Sequence, residues 1–355
     1  MKQYHPLTVA AKRPETRDSV RIALEVPAEL QDEFSFQAGQ HLPVSVKRDG
    51  KTLRRTYSIC SVPGDWPLEI GVRVQAGGAF SEYAADELAV GDEILVMPPG
   101  GQFHAEPDAG KAKTYLGFAA GSGITPVLSI MATILRDEPD SRFALFYGNR
   151  RQSTTMFIDE LFALKNRYPD RLQLQFVFSQ EDQEFPIAAG RLDADKVRDL
   201  YTAFCRGTPA DEAFVCGPDT MIDAVSAALV ELGLPPEAVH SERFGVPRKT
   251  KGSAPEKAAE TTGAAVTVVM DGHRKHFDMD PSDDNVVDAA AEHGIELPYS
   301  CKGGVCATCR CHVREGEVVM ATNYGLEPWE VEAGFVLACQ SRPVSAELVL
   351  DYDKT

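Results

Sequence analysis

The chain has 355 residues, of which 43% are apolar and 25% charged, so it can build packed cores for two or three domains. Its 36 lysines and arginines stand against 53 aspartates and glutamates, and the net charge of −17 argues against binding to nucleic acid or to an anionic membrane. No run approaches the roughly 18 apolar residues that span a bilayer, and residues 1–9 lack the apolar core of a signal peptide. We therefore expect a cytoplasmic protein without a membrane span.

The first 110 residues have the pattern of an antiparallel β domain. Short segments of alternating apolar and polar residues, such as residues 68–74, are separated by turns rich in glycine and proline. Alternation with a period of two indicates strands that bury one face. Residues 1–110 are therefore predicted to form an antiparallel barrel or sandwich, and we take the β-barrel as the prediction.

The following residues, to position 245, alternate between strand-like and helix-like patterns. An apolar run at 114–120 is followed by apolar residues at helical spacing. Runs at 143–147, 172–178 and 213–216 repeat the strand signal, each with a helix-like stretch after it. This alternation predicts that residues 111–245 form an α/β domain, with a parallel sheet and helices on both faces.

A segment with almost no large apolar side chain, residues 246–263, precedes the last part of the chain. It is rich in Lys, Glu, Ala, Ser and Thr, so it is predicted to be a flexible linker. Residues 264–355 contain 16 acidic and 7 basic side chains, a net of 7 − 16 = −9. More than half of the excess negative charge therefore lies in this last part, together with five of the eight cysteines.

Four of these cysteines have the spacing of an iron–sulfur site. Cys301, Cys306 and Cys309 form the pattern C-x4-C-x2-C, and Cys339 follows 30 residues later. This is the plant-type spacing for four thiolates that hold a [2Fe–2S] cluster. A structural zinc site is the alternative, but zinc ligands commonly come as two C-x2-C pairs. We therefore predict that these four thiolates are cluster ligands.

The other residues of this loop have structural interpretations. Gly303 and Gly304 are predicted to permit the turns that direct backbone N–H groups at the cluster. Cys311 lies two residues beyond Cys309, so on a strand its side chain should point away from the face of Cys309, and we predict that it is not a ligand. Residues 264–355 as a whole resemble plant-type ferredoxins, and that resemblance implies a β-grasp-like α+β fold.

Two motifs in the first 110 residues resemble those of the ferredoxin–NADP reductase family. One is Arg-Thr-Tyr-Ser, which begins at Arg55, and the other is Gly-Ala-Phe-Ser, which begins at Gly78. The resemblance implies a bound FAD. Arg55 would pair with its pyrophosphate, Tyr57 would pack along its ring system or ribityl chain, and Ser58 would hydrogen-bond near the reactive nitrogen. Gly78 and Ser81 would place the first N–H groups of a helix on the phosphates.

The motif Gly-Ser-Gly-Ile-Thr-Pro follows the first predicted strand of the α/β domain. Its spacing departs from the dinucleotide fingerprint G-x-G-x-x-G, because Pro126 takes the last position. In the reductase family, however, Gly-x-Gly-x-x-Pro is the usual form at this place. The resemblance therefore implies that Gly121, Gly123, Thr125 and Pro126 bind the nicotinamide dinucleotide.

A second dinucleotide motif, Cys216-Gly217-Pro218, ends a later predicted strand and matches Cys-Gly-Pro of the same family. The resemblance places its thiol close to the reacting nicotinamide carbon, although an inert buried thiol is the alternative. Glu-Arg-Phe before the linker resembles the family's terminal Glu-x-Phe, whose aromatic ring borders the flavin. Cys216, Ser58 and Phe244 are therefore the predicted catalytic residues.

The preference for NADPH or NADH depends on which groups meet the 2′-phosphate. Arg150 and Arg151 offer charge-assisted hydrogen bonds to that phosphate. Family members that use NADPH often have Ser-Arg after the third strand of this domain, whereas Ser179 is followed here by Gln180. We expect NADPH, with NADH as the alternative.

The order of flavin, nicotinamide and ferredoxin parts resembles the reductase components of bacterial multicomponent monooxygenases. The resemblance to the group that serves ring-1,2-phenylacetyl-CoA epoxidation is strongest at residues 298–306, 315–320 and 336–341. It implies electron transfer from NADPH through FAD and the cluster to a separate di-iron oxygenase. The chain lacks the paired Glu-x-x-His stretches of a di-iron bundle, so oxygen chemistry is expected in the partner.

Two kinds of alternative remain open from the sequence. One is a reductase of the same layout that serves another oxygenase, such as a steroid hydroxylase, a Rieske ring-hydroxylating enzyme or a fatty-acid desaturase. The other is a redox-sensing iron–sulfur flavoprotein. The second alternative has less support, because the chain has neither a DNA-binding basic segment nor a globin domain.

Overall fold

The computed structural model describes residues 3–48, 50–205, 207, 209–244 and 263–354. The predicted linker lies outside the described residues except for its last glycine. Three main sheets follow one another along the chain, with six, five and five strands. Within the part of the chain that the structure describes, no helix is both long enough and apolar enough to cross a membrane.

The first sheet is antiparallel and has the strand order β4-β3-β6-β1-β2-β5. Its elements are β1 (His5–Thr16), β2 (Ser19–Glu25), β3 (His41–Arg48), β4 (Lys51–Ser58), β5 (Leu68–Arg73), α1 (Ala79–Asp86) and β6 (Glu93–Val96). A bridge between Ile59 and Ile70 joins the two edge strands. The sheet therefore closes into the predicted barrel, around an apolar core that includes Leu24, Leu42 and Val72. We call this part the barrel.

The second sheet is parallel and has the order β11-β10-β7-β8-β9. Its elements are β7 (Thr114–Ala120), α2 (Ile124–Asp137), β8 (Arg142–Asn149), α3 (Ile158–Arg167), β9 (Leu172–Phe178), α4 (Ala194–Phe204), β10 (Glu212–Gly217), α5 (Asp219–Glu231) and β11 (Val239–Arg243). Helices α2 and α3 pack in one apolar cluster and α4 and α5 in another. Both faces are therefore covered, as predicted, and we call this part the parallel-sheet region.

Helix α2 is more deeply buried than its sequence pattern predicts. The apolar residues at helical spacing indicate one buried stripe, yet all residues from Ile124 to Leu135 are buried. Barrel residues explain the difference, because Ala38 and Phe103 belong to the same apolar cluster as Ile130 of the helix. The barrel thus covers the face of α2 that the sheet leaves open.

The third sheet belongs to the part of the chain with five cysteines, which we call the cysteine region. Its elements are β12 (Ala264–Met270), β13 (His273–Met279), α6 (Val286–Glu292), β14 (Arg310–Glu315), β15 (Val318–Met320), α7 (Pro328–Glu332), β16 (Phe335–Leu337), β17 (Ser341–Pro343) and β18 (Glu347–Asp351). The order is β13-β12-β18-β14-β16, with β12 and β18 parallel, and β15 pairs with β17. This mixed sheet with one packed helix has the expected β-grasp-like form.

Candidate functional site

The four predicted ligand cysteines are brought together as two pairs. Cys301 lies beside Cys306 and lowers the pKa of the Cys306 thiol. Cys309 likewise lies beside Cys339 and lowers the pKa of the Cys339 thiol. Among the described residues, no three His, Cys, Asp or Glu side chains are grouped as ligands of one metal ion. Four cysteines in two pairs fit the four thiolate ligands that a [2Fe–2S] cluster needs.

Backbone N–H groups of the loop point at the sulfur atoms. Gly303 N and Cys306 N donate to Cys301 Sγ at 3.3 and 3.4 Å, and Cys301 N donates to Cys306 Sγ at 3.4 Å. Lys302, Gly304 and Ala307 adopt left-handed φ values of 50°, 75° and 51°. The turn therefore uses Gly304 as predicted, but two side-chain-bearing residues in place of Gly303. The donor set and its N–H groups fit a negatively charged iron–sulfur cluster.

Cys311 lies apart from the two thiolate pairs. Cys309 ends the loop, and β14 begins at the next residue. The Cys311 side chain is buried in the core, and burial raises its pKa to about 12. Cys311 is paired with Val336 of β16 inside the third sheet. These contacts support the prediction that Cys311 is a structural thiol.

The flavin motif lies at the end of β4 in the barrel. The Tyr57 ring packs against Phe80 of α1, with ring centroids 5.2 Å apart, and burial raises the pKa of Tyr57. Arg55 is exposed, and its guanidinium donates to the carbonyl of Arg54 at 2.7 Å. An exposed cation beside a half-buried aromatic ring fits the pyrophosphate and ring system of FAD.

The motif that begins at Gly78 lies at the start of helix α1. Helix α1 begins at Ala79, so Ser81 lies inside its first turn, and Gly78 is the N-cap residue. Ser81 Oγ accepts from Gln75 N and donates to Gly78 O, both at 3.1 Å. A Cβ at Gly78 would lie 2.4 Å from that hydroxyl oxygen. The glycine therefore allows the tight turn that presents the first N–H groups of α1, a cradle that fits a phosphate.

The two dinucleotide motifs meet at the carboxyl ends of β7 and β10. These strands are neighbours, with Cys216 paired to Ala119. A Cβ at Gly123 would lie 2.1 Å from the carbonyl oxygen of Cys216, so only glycine fits at this crossing. Gly121 has a φ of 55°, and its carbonyl accepts from the Tyr147 hydroxyl at 2.8 Å. The strand order reverses beside β7, and such a switch point is where open α/β sheets bind nucleotides.

Thr125 and Pro126 complete this turn at the start of α2. The Thr125 hydroxyl donates to the carbonyl of Ser122 at 2.9 Å, and both Thr125 and Pro126 are buried. Gly217 ends β10, and Pro218 is the N-cap residue of α5. A backbone cradle with glycine at its closest approach therefore fits a dinucleotide pyrophosphate.

A buried polar cluster joins the barrel to the last strand of the parallel sheet. The Glu242 carboxylate accepts from Ser58 Oγ at 3.1 Å and lies 3.3 Å from His41 Nδ1. Burial opposes protonation of His41, but the bond to Glu242 raises its pKa. Glu242 is paired with Cys216 across β10 and β11. The sequence predicted Ser58 and Cys216, but His41 carries no motif that would have identified it.

Cys216 itself is a neutral thiol in this arrangement. It is fully buried, and burial together with the nearby Glu242 carboxylate raises its pKa well above the usual range. The thiol is therefore not poised as a thiolate nucleophile. Phe244 follows β11, and its ring is partly exposed, so an aromatic surface remains near the same end of the sheet.

Arg150 and Arg151 follow the carboxyl end of β8. Both side chains are exposed, and within the described part of the chain neither guanidinium has a hydrogen bond or ion pair. The neighbouring Gln180 donates its backbone N–H to the Arg150 carbonyl at 2.9 Å. The two cations therefore lie at the carboxyl edge of the sheet, beyond the strand that borders β7.

Three family models match successive parts of this chain. The oxidoreductase FAD-binding domain matches residues 6–105, the oxidoreductase NAD-binding domain residues 118–227, and the 2Fe-2S iron-sulfur cluster binding domain residues 268–344. Over 99% of its own length and 99% of the relative's, the chain is 44% identical to a subunit of 1,2-phenylacetyl-CoA epoxidase from Escherichia coli (strain K12). The chain belongs to the family of flavin- and iron–sulfur-containing reductase components of oxygenases.

Other relatives share the whole layout of this reductase. The ferredoxin reductase component of 3-ketosteroid-9-alpha-monooxygenase from Rhodococcus rhodochrous is 34% identical, with 98% and 96% of the two chains covered. The solved structure of phthalate dioxygenase reductase is 28% identical, with a TM-score of 0.61 and 98% of each chain covered. The reductase thus passes electrons from a pyridine nucleotide through FAD and a [2Fe–2S] cluster to an oxygenase.

Proposed function

We propose that this reductase supplies electrons from NADPH to a phenylacetyl-CoA epoxidase in phenylacetate degradation. The observation that carries the proposal is the 44% identity, over 99% of both chains, to the epoxidase component of Escherichia coli. Identity to the steroid monooxygenase component is lower, at 34%. These two relatives share one order of domains and are named for different oxygenases, so the higher identity favours the epoxidase as the electron acceptor.

We further propose domains at residues 1–110, 111–245 and 264–355, with a linker at 246–263. The three matched segments fall inside these bounds, which supports the division. The proposed cofactor residues are, for FAD, Arg55, Tyr57, Ser58, Gly78 and Ser81; for the nucleotide, Gly121, Gly123, Thr125, Pro126, Arg150, Arg151, Cys216, Gly217 and Pro218; and for the cluster, Cys301, Cys306, Cys309 and Cys339.

When bound, FAD accepts a hydride from the nicotinamide, and the [2Fe–2S] cluster passes electrons on one at a time. The protein's own residues position these groups. Gly123 lets the two nucleotide-binding turns approach, and the buried Cys216 thiol stays neutral beside the Glu242 carboxylate. Ser58 is oriented by its bond to Glu242, which fixes the hydroxyl at the place where the two regions meet.

The proposed preference for NADPH rests on the two unpartnered arginines after β8. Replacing Arg150 with Ala is expected to raise KM for NADPH at least tenfold, because a charge-assisted bond to the 2′-phosphate is lost. KM for NADH should change far less. The matched control is Arg142→Ala, since Arg142 begins β8 at the opposite edge of the sheet. Equal effects of Arg150→Ala on the two nucleotides would place the 2′-phosphate elsewhere.

The decisive experiment for the partner is reconstitution. The purified reductase is combined with the oxygenase components of a phenylacetyl-CoA epoxidase, and NADPH oxidation and epoxide formation are measured with and without phenylacetyl-CoA. We expect product in proportion to substrate-dependent NADPH oxidation. A parallel reaction with the oxygenase of a 3-ketosteroid 9α-monooxygenase tests the nearest alternative, and faster turnover there would contradict the proposal.

A further inference from the structure

The cysteine region contacts the barrel through the strand that carries the flavin motif. Thr56 lies between Arg55 and Tyr57, and Ser300 directly precedes the cluster ligand Cys301. The Thr56 and Ser300 hydroxyl oxygens are 2.7 Å apart, so a hydrogen bond joins the two motifs across 244 residues of chain. Ser300 is buried in this contact. The cluster loop is therefore held directly against the FAD-binding strand.

Arg54 provides the charged part of the same contact. Its guanidinium carbon lies 4.4 Å from the centroid of the Tyr299 ring and 5.8 Å from that of Tyr4 in the barrel. The same guanidinium forms an ion pair with Glu296 of the cysteine region. Only 11% of the Arg54 side chain is exposed. A cation that is desolvated between aromatic faces and paired with a carboxylate is a strong and directional contact.

A second arginine–tyrosine stack lies on the other side of the loop. The guanidinium carbon of Arg243, in β11, lies 5.0 Å from the centroid of the Tyr324 ring. The Tyr324 backbone N–H donates to the carbonyl of Gly304, inside the cluster loop, at 2.9 Å. The Arg54–Tyr299 stack therefore holds the start of the loop from the barrel, and the Arg243–Tyr324 stack supports its middle from the parallel-sheet region.

These residues form a surface that we call the docking contact. Its members are Arg54, Thr56 and Arg243 on one side and Glu296, Tyr299, Ser300 and Tyr324 on the other. Within the described residues, the apolar core of the cysteine region contains no residue of the barrel or of the parallel-sheet region. The Glu296 side chain is 75% exposed and Tyr324 is 50% exposed. The contact is therefore polar and open to water at its edges, as separable interfaces are.

We propose that the docking contact is a reversible seat that holds the cluster loop on the flavin-binding strand for internal electron transfer, with Arg54 as its main determinant. The proposal rests on the proposed function and specifies its internal step. One electron leaves reduced FAD and enters the oxidised cluster, and no covalent bond forms or breaks. The arginine side chain acts by positioning the two regions, not by touching the reacting atoms.

The test is a charge exchange between Arg54 and Glu296 in the full-length protein loaded with FAD and cluster. Arg54→Glu, Glu296→Arg and the double variant are compared with Arg48→Glu, which breaks an arginine–glutamate pair inside the barrel. Stopped-flow absorbance follows FAD reduction by NADPH and then cluster reduction. Hydrogen–deuterium exchange of residues 51–58 and 296–306 in the oxidised protein without NADPH gives a readout that does not depend on activity.

We expect Arg54→Glu to slow cluster reduction at least tenfold and to raise exchange in both segments, while FAD reduction keeps its rate. The double variant should recover most of the lost rate and protection, and Arg48→Glu should change neither. Unchanged exchange and cluster reduction in Arg54→Glu, or a double variant as slow as the single ones, would overturn the docking proposal. Failure of NADPH to reduce FAD in the unaltered protein would instead count against the proposed function.

Discussion

The two contacts between regions of this reductase differ in what they bury. Between the barrel and the parallel-sheet region runs a shared apolar cluster, in which the Phe103 and Phe214 rings pack edge to face at 5.7 Å. The cysteine region meets the rest of the molecule through the polar docking contact. Apolar burial resists separation in water, whereas a small polar contact exchanges readily with solvent.

A buried charge network reinforces the first of these contacts. Arg21 of the barrel lies 3.2 Å from Glu15 and 2.6 Å from Glu160 of α3, and only 6% of its side chain is exposed. Its guanidinium stacks on the Phe157 ring at 4.5 Å. Phe157 has a left-handed φ of 60°, and its N–H donates to Glu15 at 2.6 Å. These contacts stabilise the strained backbone of Phe157 at the boundary between the barrel and the parallel-sheet region, which we call the seam.

Electron transfer places a different requirement on each of these two contacts. A hydride moves only between groups held in contact, so the flavin and nicotinamide regions need a fixed seam. A single electron must be taken up at one place and delivered at another, so the cysteine region needs a seat that it can leave. The structure meets the first requirement with apolar burial and the second with a few polar contacts.

The largest expected effect comes from removing a cluster ligand, which tests whether the regions function separately. Cys309→Ser should abolish reduction of one-electron acceptors, because one iron loses a thiolate. Reduction by NADPH of a dye that accepts electrons from the flavin should continue at a similar rate. Absorbance and acceptor assays on the purified variant give both values, with Cys311→Ala as a control that keeps the cluster. Loss of both activities would show that the seam needs the cysteine region.

The next effect concerns the buried network of the seam. Arg21→Leu is expected to cost about 3–5 kcal/mol of unfolding free energy, since it leaves Glu15 buried without its partner. Chemical denaturation, monitored through the release of FAD, measures the change in unfolding free energy. The control is Arg13→Leu, because Arg13 also reaches Glu160 but is largely exposed, and a loss of about 0–1 kcal/mol is expected there. Equal losses of unfolding free energy in the two variants would show that Arg21 does not stabilise the seam.

A smaller effect should follow from overfilling the same seam. Gly71 of the barrel faces Phe157 and Thr125, and a Cβ there would lie 2.9 Å from each side chain. Gly71→Ala should therefore destabilise the protein by about 1–3 kcal/mol and slow FAD reduction by NADPH. Gly110→Ala, whose Cβ would meet only a distant Asp108 oxygen at 3.4 Å, is the matched control. A neutral Gly71→Ala would mean that the two regions are free to shift.

The smallest effect is that of salt on the two contacts. Raising ionic strength from 0.05 to 0.5 M should slow cluster reduction by about two- to fivefold, because the Arg54–Glu296 pair is partly exposed and screened. Delivery to an oxygenase should weaken as well, since the cysteine region carries a net charge of 7 − 16 = −9. FAD reduction should change less. A flat profile for cluster reduction would indicate apolar docking instead.

Local patterns predicted much of the fold. The strands Thr114–Ala120 and Leu172–Phe178 match their predicted ends, because the first is a largely apolar run and the second places apolar residues at alternate positions from Leu172. The cluster loop was predicted from one spacing, since its first three ligands lie within nine residues. The extra burial of α2 was not predicted, because the barrel that covers it lies elsewhere in the chain.

The parts of the site that sequence reasoning missed are those formed by distant residues. His41 and Glu242 meet across 201 residues, and Thr56 and Ser300 across 244. No local period or spacing predicts such a pair, since each partner alone resembles an ordinary polar residue of a strand or loop.

Strand β11 combines two tasks in five residues. It carries Glu242, and from Phe244 the chain continues toward the cysteine region. When that region moves away from its seat, any tension along the chain pulls on the end of β11. Five residue pairs hold this strand beside β10 in parallel register. A force along the strand axis acts on all of these pairs in shear at once. The pairing of β11 with β10 would therefore keep Glu242 beside Ser58 and His41 when the cysteine region leaves the docking contact.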